Sequence, residues 1–291
     1  MNGLKTPVNT GREREREFEF GDEDFRSLRD LVREKTGITL SEAKRELVYG
    51  RLSRRLRVLN LGSFREYRQL LASDQGKDEI GDFINAVTTN LTSFFRENHH
   101  FDYLRDAFLA PIVAAGARGQ RIRIWSAGCS SGEEPYSIAM TIAENLPDWQ
   151  RMDIKILATD LDTEMVERGQ NGVYREDRVA GIGAKRLSTW FREVPGAGAR
   201  HYKVVPELAS LITFRRLNLM EPLPFKGPLD VIFCRNVIIY FDKETQRELF
   251  LRVAPLQRPG ALLFLGHSES LFKVSESFSL IGKTIYRRVA G

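Results

Sequence analysis

Between residues 18 and 87 the apolar positions recur at spacings of three and four. Phe25, Leu28, Leu31 and Val32 form one stripe that stops at Gly37 and predicts an amphipathic helix. Ser41 opens a second long helix with the stripe Val48, Leu52, Leu56 and Leu59, closed by Asn60 and Gly62, and Ser63 restarts the chain at Phe64. From Arg121 the rhythm shortens. Apolar, β-rich runs at 121–125, 154–158, 211–214, 231–233 and 261–265 alternate with helical patterns at 135–146, 163–169 and 244–256. This alternation predicts an α/β fold, a mostly parallel doubly wound sheet preceded by an all-α domain.

One stretch departs from the alternation. Runs at 190–194, 201–205 and 211–214, separated by Gly196, Gly198 and Pro206, predict a small antiparallel subdomain at about 190–214 inserted into the larger fold. The chain closes on apolar runs at 278–281 and 284–287 around Gly282-Lys283, which read as an edge hairpin. Pro255 leaves the end of the 244–256 helix open. The Arg/Glu alternation at 11–17 reads as a solvated, disordered leader. The expected organisation is a leader at 1–17, a helical domain at 18–88, an interdomain linker at 89–115 and the sheet domain at 116–291.

Composition narrows this little. The chain has 291 residues, 42% of them hydrophobic, enough for a sizeable α/β domain and a smaller one. Cys129 and Cys234 are its only cysteines and stand far apart, which suggests neither a disulfide framework nor a zinc knuckle; Cys129 reads as a packing residue. No run of eighteen apolar residues occurs and the first twenty residues lack a signal-peptide core, so a cytoplasmic protein without membrane insertion is expected. The net charge of +5 keeps a polyanionic partner in view until the cations are located. On a helical wheel Lys44, Arg51 and Arg55 fall together beside the stripe of the second helix, with Arg54 and Arg57 further round. They form either a solvated basic face or a docking surface for an acidic helix.

The chemistry gathers where the runs end. After 121–125 comes a loop of small residues, Ser126-Ala127-Gly128-Cys129-Ser130-Ser131-Gly132, with Pro135 expected as the first residue of the next helix. Strand, glycine-containing loop and helix N-terminus make a cradle for several nucleotide-like ligands, and the Gly128-x-x-x-Gly132 spacing differs from the Gly-x-Gly-x-x-Gly of dinucleotide enzymes. Asp160 ends the second run, where a carboxylate can accept from both ribose hydroxyls or can cap the next helix. Asn218-Leu219 ends a further run on the same expected edge, where a side-chain amide and backbone groups can read an adenine ring or Asn218 can serve a turn, and Cys234-Arg235-Asn236 ends another. His99-His100 reads as packing or capping, because adjacent helical residues point about 100° apart and no His-x-x-x-His spacing exists.

TTNLTSFFRENHHF, WSAGCSSGEEPYSIAM, ATDLDTE, FCRNVIIYFDKETQ and LFLGHSESL, in this order, resemble the chemotaxis receptor glutamate methyltransferases of the CheR type, from about Phe25 to Tyr286. The resemblance implies a Rossmann-like class I methyltransferase sheet and transfer of a methyl group from S-adenosyl-L-methionine to receptor glutamates, with S-adenosyl-L-homocysteine as product. It implies that the cofactor is held by Asn90, Thr92, Arg96, Glu134, Asp160, Asn218, Leu219, Arg235 and Asn236. Arg96 then positions a carboxylate and Tyr240 stands near the methyl group. The implied partners are the cytoplasmic helices of methyl-accepting chemotaxis receptors, docked by Lys44, Arg51, Arg54, Arg55 and Arg57. In some members the β-subdomain also grips a peptide at the receptor C-terminus. A monomer recruited to receptor arrays, with no metal and no nucleic acid, completes the implication. The rivals are a nucleic-acid methyltransferase, disfavoured by Cys-Arg-Asn-Val in place of Asn/Asp-Pro-Pro-Tyr, a non-enzymatic sensor of the cofactor, and an NAD-dependent oxidoreductase.

Overall fold

The computed structural model describes residues 16–116, 120–195, 198–225 and 227–290. Apart from Arg16 and Glu17, the expected leader lies outside them, as does Gly196.

Four helices form the N-terminal domain: α1 Asp22–Thr36, α2 Arg45–Val58, α3 Phe64–Leu71 and α4 Glu79–Val87. Gly37 ends α1 at φ 72°, donating its N–H to the Arg33 carbonyl, a backbone conformation that glycine adopts without strain. Ser41 opens a single 3-10 turn, Glu42–Lys44, so α2 begins only at Arg45, later than a Ser41 cap suggests. Ser63 caps α3, its hydroxyl accepting from the Glu66 N–H. The expected stripes meet in one core: Phe25, Leu28 and Val32 of α1, Val48, Leu52 and Leu56 of α2, with Phe64, Tyr67, Phe83 and Val87.

Much of the expected linker is helical. After an irregular stretch at 88–98 come α5 His99–Tyr103, a π-helical turn Leu104–Leu109 and α6 Ala110–Ala114. Phe101, Leu104 and Leu109 are buried in the core of the sheet domain, which is what a linker would not do.

The sheet domain follows as β1 Arg121–Ala127, α7 Glu133–Asn145, β2 Asp153–Asp160, α8 Thr163–Asn171, β3 Val173–Arg175, α9 Glu176–Val179, α10 Ala184–Trp190, β4 Phe191–Val194, β5 His201–Val204, α11 Pro206–Ala209, β6 Ile212–Arg216, β7 Leu229–Cys234, α12 Lys243–Val253, β8 Gln257–Leu265, β9 Phe278–Gly282 and β10 Ile285–Arg288. The large sheet has the order β6-β2-β1-β7-β8-β10-β9. Its first five strands are parallel, and the β9–β10 hairpin closes it through the antiparallel pair β10–β8. Alternate residues of each strand feed two cores: Ile122, Ile124, Ile156 and Phe233 on one face, Trp125, Ile232, Leu263 and Leu265 on the other, under α12.

Two expectations change. The run at 211–214 belongs to the large sheet, as β6 beside β2 in parallel, and not to the small subdomain. The small antiparallel sheet has the order β3-β5-β4 and draws its third strand from Val173–Arg175. Pro135 is the third residue of α7, which starts from Gly132 at φ 97°. Pro255 lies in a 3-10 turn, Ala254–Leu256, beyond the end of α12.

Candidate active site

The carboxyl ends of β2, β1 and β7 open onto a cleft with about 1080 Å³ of free space, the part open to solvent included. It lies where ligands bind in open α/β sheets. Every residue expected to hold the cofactor lines it, as do Tyr240 and Lys44.

Its floor is built by the β1–α7 loop. Gly128 sits at φ 76°, where a Cβ would collide with the Val237 side chain, and Gly132 at φ 97°. At Gly132 a Cβ would stand 2.8 Å from the Tyr174 hydroxyl oxygen and 2.9 Å from Gly169 Cα. Asp160 closes the loop from below: one carboxylate oxygen accepts from the Ser130 N–H at 2.7 Å, the other from the Asp162 N–H at 3.0 Å. The helix cap that Asp160 could have supplied is made by Asp162, which accepts from Glu164 and Met165. Cys129 is fully buried, and burial raises its thiol well above the usual range, as befits a packing residue.

Burial pushes Asp160 up to about 6 against the backbone N–H groups of Asp162 and Ser130. A folded-state pKa raised in this way favours the fold below the unfolded value and loses that contribution as pH rises through about 6, so mild acid does not unfold the protein through Asp160. Ligand hydroxyls donating to it need the carboxylate, however. S-adenosylhomocysteine affinity will therefore fall about tenfold between pH 6.5 and 5, by titration calorimetry. A flat profile, or one that persists in Asp160→Asn, rules out this role.

Below the floor lies a buried charge cluster. The Arg235 guanidinium donates to Glu134 Oε2 at 3.1 Å, lies 3.4 Å from Glu97 Oε2 and donates to the Arg96 carbonyl. Glu134 also accepts from the Ser126 hydroxyl at 2.6 Å. Burial raises the Glu97 carboxyl, but Arg235 and His267 outweigh it and hold the group at about 2. Arg235 thus fixes two segments of the cleft more than it reaches into it. Phe95 and Glu97 both have left-handed backbones, φ 52° and 55°, on either side of Arg96. Such strain persists where surrounding contacts over-determine it.

The remaining expected residues divide between the cleft and its supports. The Asn90 amide donates to Asp162 Oδ2 at 2.7 Å, and the Thr92 carbonyl accepts from Arg178 at 3.0 Å. The Asn218 side chain is committed elsewhere: Nδ2 donates to the Lys35 carbonyl at 2.8 Å and Oδ1 accepts from Met220. A side-chain amide committed in this way does not read an adenine ring, and Leu219, whose carbonyl accepts from Arg252 at 2.7 Å, lines the cleft as a buried apolar residue. Arg96 donates to the Leu91 carbonyl at 2.7 Å. The Lys44 ammonium stands 4.6 Å from the centre of the Tyr240 ring.

Of the five expected docking cations, three are occupied within the fold. Arg55 is held by Glu79 and Asp82, Arg57 by Glu17, and Arg51 by the carbonyls of Ala86 and Thr88. Lys44 turns into the cleft, and Arg54 is exposed with no ion pair among the described residues. His99 and His100 converge instead of diverging, both Nε2 atoms 3.2 Å from the Lys283 carbonyl, and with Glu97 they lie close enough to share a cation. The positive charge that Glu97 meets there is Arg235. Sequence reasoning missed the wall at Thr36, Ile38 and Leu40, which seals the cleft from the helical domain. Ile38 bridges Phe241, and the Thr39 N–H donates to the Tyr240 carbonyl at 2.8 Å. Apolar residues directly after the Gly37 stop were the available signal.

Five parallel strands closed by an antiparallel hairpin, with a carboxylate-lined cleft over a glycine-containing β1–α7 loop, define a class I S-adenosylmethionine-dependent methyltransferase. Residues 23–88 match "CheR methyltransferase, all-alpha domain" and residues 90–287 match "CheR methyltransferase, SAM binding domain". The chain is 45% identical to chemotaxis protein methyltransferase 2 of Pseudomonas aeruginosa over 271 residues, 93% of this chain and 94% of the relative. It is 43% identical to the chemotaxis protein methyltransferase of Escherichia coli over 270 residues, covering 91% and 90%. The chain belongs to the CheR methyltransferase family. No helix among the described residues is long and apolar enough to cross a membrane.

Proposed function

We propose that the protein transfers the methyl group of S-adenosyl-L-methionine to glutamate side chains on the cytoplasmic helices of chemoreceptors, forming methyl esters in chemotaxis adaptation. The observation that carries the reading is the meeting of the two domains at one point: Lys44 of the helical domain, Arg96 and Tyr240 line the same cleft that Asp160 and Glu134 close from below. The names of the relatives support chemoreceptors as the acceptor.

The donor set fits the cofactor. Asp160 offers a carboxylate to ribose hydroxyls, the glycines let backbone groups approach closely, and Ile38, Leu219 and Phe241 supply apolar wall for an adenine ring. When bound, S-adenosylmethionine supplies a methyl group on a sulfonium that leaves as a neutral thioether. A glutamate side chain, with a pKa of about 4.3, is already ionised at neutral pH, so the chain supplies no general base. Lys44 and Arg96 hold the acceptor carboxylate and Tyr240 donates beside it, so catalysis rests on alignment and partial desolvation. Arg54 faces the receptor.

The test is transfer of labelled methyl from S-adenosylmethionine to receptor-containing membranes, followed by mild alkali. Base-labile label is expected, and alkali-stable label defeats the glutamate reading. Transfer will slow with added salt, and Arg54→Glu will weaken it several-fold with S-adenosylhomocysteine affinity unchanged.

A further inference from the structure

The segment Gly266-His267-Ser268-Glu269 follows directly on β8. Glu269 is 5% exposed, with its carboxylate turned into the protein. Oε1 accepts the backbone N–H of Val237 at 2.8 Å and of Ile239 at 3.2 Å. Oε2 accepts those of Asn236 at 2.8 Å and Gly266 at 2.6 Å. Among the described residues no cation pairs with Glu269, so four amide dipoles alone satisfy it. The donor pattern requires a carboxylate, since a glutamine would turn its NH2 group, which cannot accept, toward two backbone N–H donors.

Three of those four donors belong to the loop that carries the site. Asn236 has a left-handed backbone at φ 59°, and a 3-10 turn, Ile238–Tyr240, follows it. Gly266 seats directly against this loop: a Cβ there would stand 2.8 Å from the Asn236 backbone nitrogen. His267 reaches the other side of the cleft, with Nδ1 at 3.1 Å from Glu97 Oε1, next in the chain to Arg96. One turn after β8 therefore grips the carriers of both Tyr240 and Arg96.

We propose that the turn at 266–269 sets the placement of Asn236 and Tyr240 against the cofactor, with Glu269 as the positioning residue that acts through them. The proposal rests on the reading of this cleft as the cofactor site, with Asn236 against the cofactor or Tyr240 at the reaction centre. A residue that only stabilises the sheet would affect every strand alike, whereas a positioning residue affects one loop and one chemical step.

The experiment compares the full chain with Glu269→Gln, Glu269→Asp, Tyr240→Phe and the double variant Glu269→Gln/Tyr240→Phe. It reads methyl transfer, S-adenosylhomocysteine affinity and amide hydrogen exchange. In Glu269→Gln turnover will fall about ten- to a hundredfold, the loss that misplacement by about 1 Å brings. Exchange protection will be lost at 236–240 and kept in β1 and β7. The double variant will be no slower than the slower single variant, because both changes act on one unit. Glu269→Asp, which keeps the charge on a shorter arm, will fall between wild type and Glu269→Gln.

Losses that multiply in the double variant overturn the proposal. So does protection lost across β1 and β7, or a Glu269→Asp variant identical to wild type in turnover and exchange. Unchanged turnover in Tyr240→Phe removes the tyrosine from the reaction. The proposal then stands only if Glu269→Gln weakens S-adenosylhomocysteine binding through Asn236, and falls if that affinity is unchanged.

Discussion

Arg235→Met will cost the folded state about 3–5 kcal/mol, read from urea unfolding, and will abolish measurable S-adenosylhomocysteine binding. The Arg235 side chain is 2% exposed, and its two partners, Glu97 and Glu134, are 11% exposed each. Methionine fills much of the volume but leaves Glu134 without its countercharge and Glu97 with only the exposed His267 beside it. Breaking such a cluster by removing one partner costs far more than the cluster itself contributes. The cost is thus reversible by neutralising the other side: Arg235→Met with Glu97→Gln and Glu134→Gln will recover most of the stability and none of the binding.

The acid limb carries the same signature. Glu97 is held at about 2, burial raising it and Arg235 with His267 lowering it further. A depressed carboxyl contributes stability above its unfolded pKa, about 4.3, and loses it as pH falls toward the folded value. Wild type will therefore lose stability between about pH 4.5 and 2 through this group, and Arg235→Met will lose less in that window. A variant within about 1 kcal/mol of wild type at neutral pH would contradict the burial of an unpaired charge.

Gly132→Ala will cost about 2–4 kcal/mol, the sum of a left-handed backbone and a steric clash, and will weaken S-adenosylhomocysteine at least about tenfold. The Cβ would press on Gly169 Cα, which is backbone and cannot swing aside. The same methyl would reach the Tyr174 hydroxyl, which donates to the Ser131 carbonyl at 2.7 Å and so holds the cradle from outside. Gly116→Ala is the control, since Gly116 also has positive φ, 60°, but among the described residues nothing stands within 4 Å of an added Cβ. It will cost about 1–2 kcal/mol and leave the ligand affinity alone. Equal losses in the two variants would show that conformation alone matters and that the contact with Gly169 does not.

The strands and long helices were legible because each buries one face at a fixed period, and a period is a property of sequence. Phe25, Leu28 and Val32, or Ile122 and Ile124, announce their side of the core without knowing what covers it. The lining of the cleft was legible for a related reason. Polar groups straight after a buried run, Asp160, Asn218 and Arg235, fall on one edge of a parallel sheet, and all three line the cleft. Pairing leaves no such trace. Nothing in the order of residues tells that Arg55 meets Glu79 and Asp82, or that Asn218 spends its amide on the Lys35 carbonyl. Strand β3 escaped because three residues are too few for a period of two to register in the sequence, and its absence made the run at 211–214 look like the missing strand of the small sheet. The helices inside the expected linker escaped because a π-helical turn at Leu104–Leu109 breaks the 3.6-residue repeat.

The wall at Thr36, Ile38 and Leu40 also bears on how separable the two domains are. The chain passes from the helical domain to the sheet domain near residue 88, but the Lys35 carbonyl, the Thr39 amide and Ile38 are satisfied by Asn218, Tyr240 and Phe241. A chimaera spliced at that crossing would inherit a cofactor cleft with one side cut to another protein's shape. Exchanging acceptor preference between relatives is therefore a question of matched surfaces, in which residues 35–40 travel together with 218–220 and 240–241, and the choice of linker is secondary.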